Sequence, residues 1–209
     1  MTRAARNGLV AHMEQAVRRS QPLSVPNLLT YARLAAVPLL AGVMFFFRGE
    51  TANWLALSIF AVAGVTDFLD GYLARAWQQQ SPLGRMLDPI ADKLLVGAAL
   101  LMLVADQTIS GWSVWAALII LSREILVSGL REFLAELNAT VTVSRLAKWK
   151  TTLQMVALCF LLAGRTGGDV CGCATVSAGL VLLWLAAMLT LYTGFDYIRA
   201  GLKYVMYEH

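Results

Sequence analysis

Charge is scarce in this chain. Of 209 residues only 13 are Asp or Glu and 17 are Lys or Arg, 14% in all, against 58% apolar. A soluble domain carries roughly a quarter charged residues, so the composition excludes an ordinary soluble globule and predicts an integral membrane protein. Histidine is nearly absent: His12 and His209 lie near the ends, and neither suggests catalysis. Cysteine is too sparse for a disulfide framework. Cys171 and Cys173 flank one glycine in an expected loop, and two thiols make an incomplete metal site; with Cys159 they are read as unpaired thiols. No internal repeat and no low-complexity tail is present. The apolar runs lack the alternation of barrel strands, and hydrocarbon offers backbone groups no water to bond, which leaves helices.

What is there in quantity is apolar sequence. Six spanning helices are expected, near 26–47, 52–75, 84–104, 112–134, 146–163 and 174–198, each close to the roughly 20 residues needed to cross the hydrocarbon. The expected fold is therefore all-α, one membrane domain over 22–209 preceded by a juxtamembrane segment over 1–21. Within that segment, residues Ala4 to Arg19 place Leu9, Val10, Met13 and Val17 on one helical side, with Arg3, Arg6, Arg18 and Arg19 around it. Such a basic amphipathic helix suits an anionic membrane surface, and it lacks the apolar centre of a signal peptide. Arg48 and Arg165 fall in loops on one side. Arg3, Arg6, Arg18, Arg19, Arg75, Arg85, Arg131, Arg145, Lys148, Lys150, Arg199 and Lys203 fall on the other. Positive residues stay inside, so both ends and the connection between the second and third segments are expected in the cytoplasm.

The residues that break this apolar pattern cluster between positions 67 and 92. Asp67, Asp70, Asp88 and Asp92 stand there with Gly71, Ala74, Arg75 and Gly84. Residues three or four apart share a helix face, so Asp67 pairs with Asp70 and Asp88 with Asp92. Antiparallel packing of the two helices would converge four carboxylates on one pocket. Such a cluster repels itself unless protons or a cation compensate it, and carboxylate oxygens favour Mg²⁺ or Mn²⁺. Two ions a few ångströms apart would suit displacement at phosphorus. Gly71, without a Cβ, lets a nucleotide or a backbone approach closely. Arg75 on the same face could bind a diphosphate bidentately, or snorkel to the interface.

The spacing D-x2-D-G-x2-A-R-x8-G-x3-D-x3-D resembles, position for position, the pattern of the CDP-alcohol phosphotransferase family. That resemblance implies a membrane enzyme that moves a phosphatidyl or related group from a CDP-linked lipid to an alcohol and releases CMP. It implies Asp67, Asp70 and Asp88 as metal ligands, with Asp92 completing a second metal site and acting as general base. By the same resemblance Ser81 is a nucleotide contact. Asn27 and Thr30, in an N-x-x-T-x-x-R pattern ending at Arg33, look like nucleotide contacts too, with helix capping as the alternative. A homodimer is implied by resemblance alone.

The acceptor is read from other residues. Arg123, Arg131, Arg145, Lys148 and Lys150 gather cations beside an acidic site. Together they favour a phosphorylated acceptor, although any one could equally be a positive-inside anchor. S-R-E-I-L-V-S-G-L-R-E-F from Ser122 and K-W-K-T-T-L-Q from Lys148 resemble the bacterial members that use sn-glycerol 3-phosphate with CDP-diacylglycerol. These resemblances imply an inner-membrane enzyme with a cytoplasmic active site, and no nucleic-acid partner. The alternatives are a cardiolipin synthase or phosphatidylinositol-phosphate synthase of the same family, a cation carrier, and a non-catalytic lipid-binding scaffold.

Overall fold

The computed structural model describes residues 25–77, 82–136, 145–164 and 169–207. They form six helices: α1 (Val25–Phe46), α2 (Glu50–Trp77), α3 (Pro82–Ala105), α4 (Ser113–Glu136), α5 (Arg145–Ala163) and α6 (Asp169–Tyr207). No strand occurs among the described residues. The expected amphipathic helix over 4–19 lies outside them. Three stretches are long and apolar enough to cross a membrane, Asn27–Phe46, Ser113–Leu134 and Ala174–Arg199. α2 and α3 carry the aspartates, which thin their apolar character, and α5 offers a shorter apolar stretch, Trp149–Ala163.

One sequence expectation needs correction. The C-G-C segment is helical rather than a loop, because α6 begins at Asp169. One glycine inside a helix costs only about 1 kcal/mol relative to alanine, and the long apolar run beyond it carries the helix through. At the other side of that connection α5 stops on Gly164, whose φ is +60°. Its N–H returns to the Phe160 and Leu161 carbonyls at 3.3 and 3.0 Å, and a Cβ there would strike Asn53 Nδ2 at the start of α2. Only glycine suits both demands.

The helices divide into two trios. α1 packs extensively against both α2 and α3, while those two barely touch each other. α6 plays the same central part between α4 and α5, and contact between α2 and α5 is the main join of the trios. The shared core mixes large residues, such as Leu40, Phe60, Leu103, Ile120 and Leu158, with Ala56, Ala63, Ala99, Ala157, Ala186 and Ala187. Small residues let helix backbones approach where lipid supplies no hydrophobic drive for association. Phe45, Phe46, Val62, Leu101, Trp112, Met188 and Phe195 point outward and are exposed, which suits a surface solvated by lipid chains. Trp184, by contrast, packs against the core.

Gly179 marks a tight approach of α5 and α6. A Cβ there would lie 2.9 Å from the Leu161 side chain and 3.2 Å from its backbone nitrogen. Since backbone cannot swing aside, Gly179→Leu should destabilise the detergent-solubilised protein by about 1–3 kcal/mol, the usual range for overpacking. A thermal melt unchanged from wild type would show that the two helices separate freely at this point.

Candidate active site

The acidic site is assembled by three helices. Asp67 stands ten residues before the end of α2 at Trp77, and Asp92 ten residues after the start of α3 at Pro82. At 1.5 Å per residue both lie about 15 Å from the connected ends, hence level with one another. α1 enters between their helices and presents Asn27, Thr30 and Arg33, which are 2%, 2% and 1% exposed. Positions three apart lie on one helix face, and this is the face that meets the acids.

Arg33 Nη1 donates to Asp92 Oδ1 at 2.8 Å and contacts Asp67 Oδ1 at 3.0 Å. Thr30 Oγ1 donates to Asp88 Oδ1 at 2.5 Å. Both aspartates paired with Arg33 keep about half their side-chain surface exposed, 50% for Asp67 and 45% for Asp92. One face of the cluster is thus anchored to the protein interior, and the carboxylates remain open on another. Among the described residues α2 and α3 share few contacts of their own, and α1 packs extensively against both. Its arginine draws Asp67 and Asp92 to one cationic nitrogen.

The chemistry of these donors fits a hard divalent ion. A cationic nitrogen already sits between two of the carboxylates, which shows that their placement accommodates positive charge. Among the described residues no three His, Cys, Asp or Glu side chains form a ready metal cluster. The side chain of Asp70, the fourth expected ligand, lies outside the described residues, as do the surroundings of Gly71 and the side chains of Arg75 and Ser81.

A second polar group occupies the other trio. Arg123 on α4 and Lys150 on α5, 9% and 5% exposed, converge on Glu124. Arg123 Nη1 lies 3.3 Å and Lys150 Nζ 2.5 Å from Glu124 Oε1. Arg123 Nη2 also donates to Thr193 Oγ1 of α6 at 3.2 Å, and Gly194 beside it leaves the room that the arginine stem fills. The guanidinium of Arg131 lies 5.7 Å from the centre of the Tyr197 ring, in cation–π range. Of the five cations expected to bind the acceptor, the structure therefore joins Arg123 and Lys150 through Glu124, with Arg131 exposed over the Tyr197 ring. The side chains of Arg145 and Lys148 lie outside the described residues. Among the described residues Arg123 Nε, Gln154 Oε1, Thr190 Oγ1 and Tyr197 Oη are buried without a hydrogen-bond partner.

Sequence reasoning missed Arg33 as a contact of the acids and undervalued Glu124. Both left signals. A charge within an apolar helix demands a partner, and Arg33 follows Asn27 and Thr30 at face-sharing intervals. Thr190 and Thr193 interrupt the apolar α6 in the same way.

The described residues thus form an all-helical bundle, with stretches apolar enough to cross a membrane, in which aspartates of two helices meet on one arginine. The chain belongs to the CDP-alcohol phosphatidyltransferase family, whose pattern matches residues 23–192. It is 41% identical to the CDP-diacylglycerol–glycerol-3-phosphate 3-phosphatidyltransferase of Cereibacter sphaeroides, covering 88% of this chain and 98% of that protein. It is 45% identical to the enzyme of the same name from Rickettsia bellii, covering 87% and 97%. A cardiolipin synthase (CMP-forming) from Oryza sativa subsp. japonica is 40% identical over 85% of this chain, but over only 57% of that protein.

Glu124 is the group on which the basic trio depends. Glu124→Gln keeps the shape but leaves Arg123 and Lys150 facing each other without their shared anion. Breaking a buried ion pair from one side typically costs about 3–5 kcal/mol. A marked fall in melting temperature is expected in detergent, and a melt equal to wild type would mean that the two cations are hydrated and need no carboxylate.

Proposed function

We propose that this protein is a phosphatidylglycerophosphate synthase, transferring the phosphatidyl group of CDP-diacylglycerol to sn-glycerol 3-phosphate. The observation that carries the reading is the paired composition of the bundle: a carboxylate site on α2 and α3, and a buried cation pair, Arg123 with Lys150, on α4 and α5. The first suits a liponucleotide diphosphate with divalent ions; the second suits an acceptor that carries its own phosphate. Family membership and the names of the relatives support the same choice.

In this reading Asp67, Asp70, Asp88 and Asp92 hold one or two Mg²⁺ or Mn²⁺ ions. Such ions neutralise phosphate oxygens and stabilise the leaving oxygen when bound. Asp92 takes the proton from the 1-hydroxyl of glycerol 3-phosphate as that oxygen attacks the β-phosphorus, the one bearing the diacylglycerol. A new P–O bond forms, the anhydride P–O bond breaks, and its electron pair leaves on the phosphate oxygen of CMP. Asn27, Thr30, Gly71, Arg75 and Ser81 line the nucleotide side. Arg123 and Lys150 grip the acceptor phosphate, with Arg131, Arg145 and Lys148 around them, and Glu124 keeps the two buried cations in register. The chain crosses the inner membrane six times with both ends and the acidic site in the cytoplasm, works as a homodimer, and has 1–21 as a surface-lying segment ahead of the 22–209 domain. The rice relative keeps cardiolipin synthesis as the second reading, because the aspartates would serve either acceptor.

The test is CMP release by the purified protein with CDP-diacylglycerol and Mg²⁺, offering glycerol 3-phosphate or phosphatidylglycerol as acceptor. Release should require glycerol 3-phosphate and stop with chelator. Asp92→Asn should lower kcat by about 10²–10⁴-fold, the contribution of a positioned base. Arg123→Met should chiefly raise KM for glycerol 3-phosphate. Release driven by phosphatidylglycerol alone would transfer the assignment to cardiolipin synthesis.

A further inference from the structure

We propose that α1 sets the ligand geometry of the divalent-ion site, with Arg33 and Thr30 as its positioning residues. The inference rests on the divalent-ion reading above and goes beyond it, since neither residue is among the expected metal ligands. Three observations converge. Arg33 Nη1 engages one oxygen of Asp67 and one of Asp92, at 3.0 and 2.8 Å. Thr30 Oγ1 engages one oxygen of Asp88 at 2.5 Å. Both positioning side chains are almost wholly buried on one face of α1, whereas Asp67 and Asp92 are about half exposed. Each of the three carboxylates is therefore held through one oxygen by the protein interior. Its second oxygen is the one this arrangement assigns to an ion.

The helix packing explains why the task falls to α1. Among the described residues α2 and α3 share few contacts, while α1 packs extensively against both, so α1 is placed to reach the aspartates of each. Carboxylates on two separate helices repel one another. A single buried guanidinium between them reduces that repulsion and fixes both side chains beforehand. Arg33 also brings a positive charge close to an incoming cation, which opposes binding. The two effects have opposite signs, and orientation is expected to prevail: groups that hydrogen-bond to metal ligands typically change affinity by about 10- to 100-fold when removed.

The measurement is Mn²⁺ binding by the purified, chelator-treated protein in detergent, read by electron paramagnetic resonance, beside thermal melts in chelator. Wild type should bind saturably and Asp88→Asn should bind poorly. Arg33→Gln should raise the Mn²⁺ Kd by about 10- to 100-fold, and Thr30→Val, nearly the same shape, by a smaller factor. Should Arg33→Gln fail to fold, Thr30→Val decides the matter. Unchanged or tighter Mn²⁺ binding in the folded variants overturns the proposal even where the melt drops, because Arg33 would then serve packing alone. No saturable binding by wild type sinks the divalent-ion reading itself, and this inference with it.

Discussion

Everything in this molecule depends on compensating charge inside helices that are otherwise apolar. An ionised side chain surrounded by hydrocarbon or packed protein is costly unless another group answers it. The chain meets this demand twice, with opposite signs. In the first trio one cation, Arg33, answers two carboxylates from different helices. In the second, one carboxylate, Glu124, answers two cations from different helices. Each answering group ties helices together at the point where they would otherwise repel.

That scheme also accounts for which helix is central. α1 and α6 make the extensive contacts within their trios, and each carries hydroxyls that face the polar group. Thr30 bonds Asp88, and Thr193 accepts from Arg123 while donating to backbone oxygens of its own helix. A hydroxyl is small enough to sit in a helix interface and polar enough to satisfy a neighbour, so it costs little packing. Next to Thr193, Gly194 of α6 leaves the space that the Arg123 stem of α4 occupies.

Helices and chemistry were legible in the sequence to different degrees. The six helical segments follow from apolar run length; five have limits within two residues of those expected, while α6 begins five residues earlier and ends nine later, because run length says little about where a polar turn begins. The C-G-C segment shows the limit plainly: glycine and cysteine carry no strong signal of helix or loop, and the helix simply continued. The aspartates could be read because their spacing is local, within two helices. What joins them could not be, since Arg33 lies 34 residues before Asp67 and 59 before Asp92. A sequence shows that an intramembrane charge needs a partner but not which distant residue supplies it. Lys150 and Glu124 make the same point from α5 and α4.

The two charge-compensated groups differ in how far they are closed, and that difference bears on reactivity. Arg33 is buried while its aspartates are half open, so the acids can exchange partners on their exposed side without disturbing the packed interior. In the basic trio it is the cations that are buried, with Glu124 at 20% exposure and several polar atoms left without partners. Buried polar atoms without partners weigh against stability, each by about 1–3 kcal/mol. A phosphate with its several acceptor oxygens would satisfy Arg123 Nε in a way that no protein atom does. In the proposed reaction the acidic trio thus offers its ligands at an open face, while the basic trio holds donor capacity in reserve for an anionic acceptor.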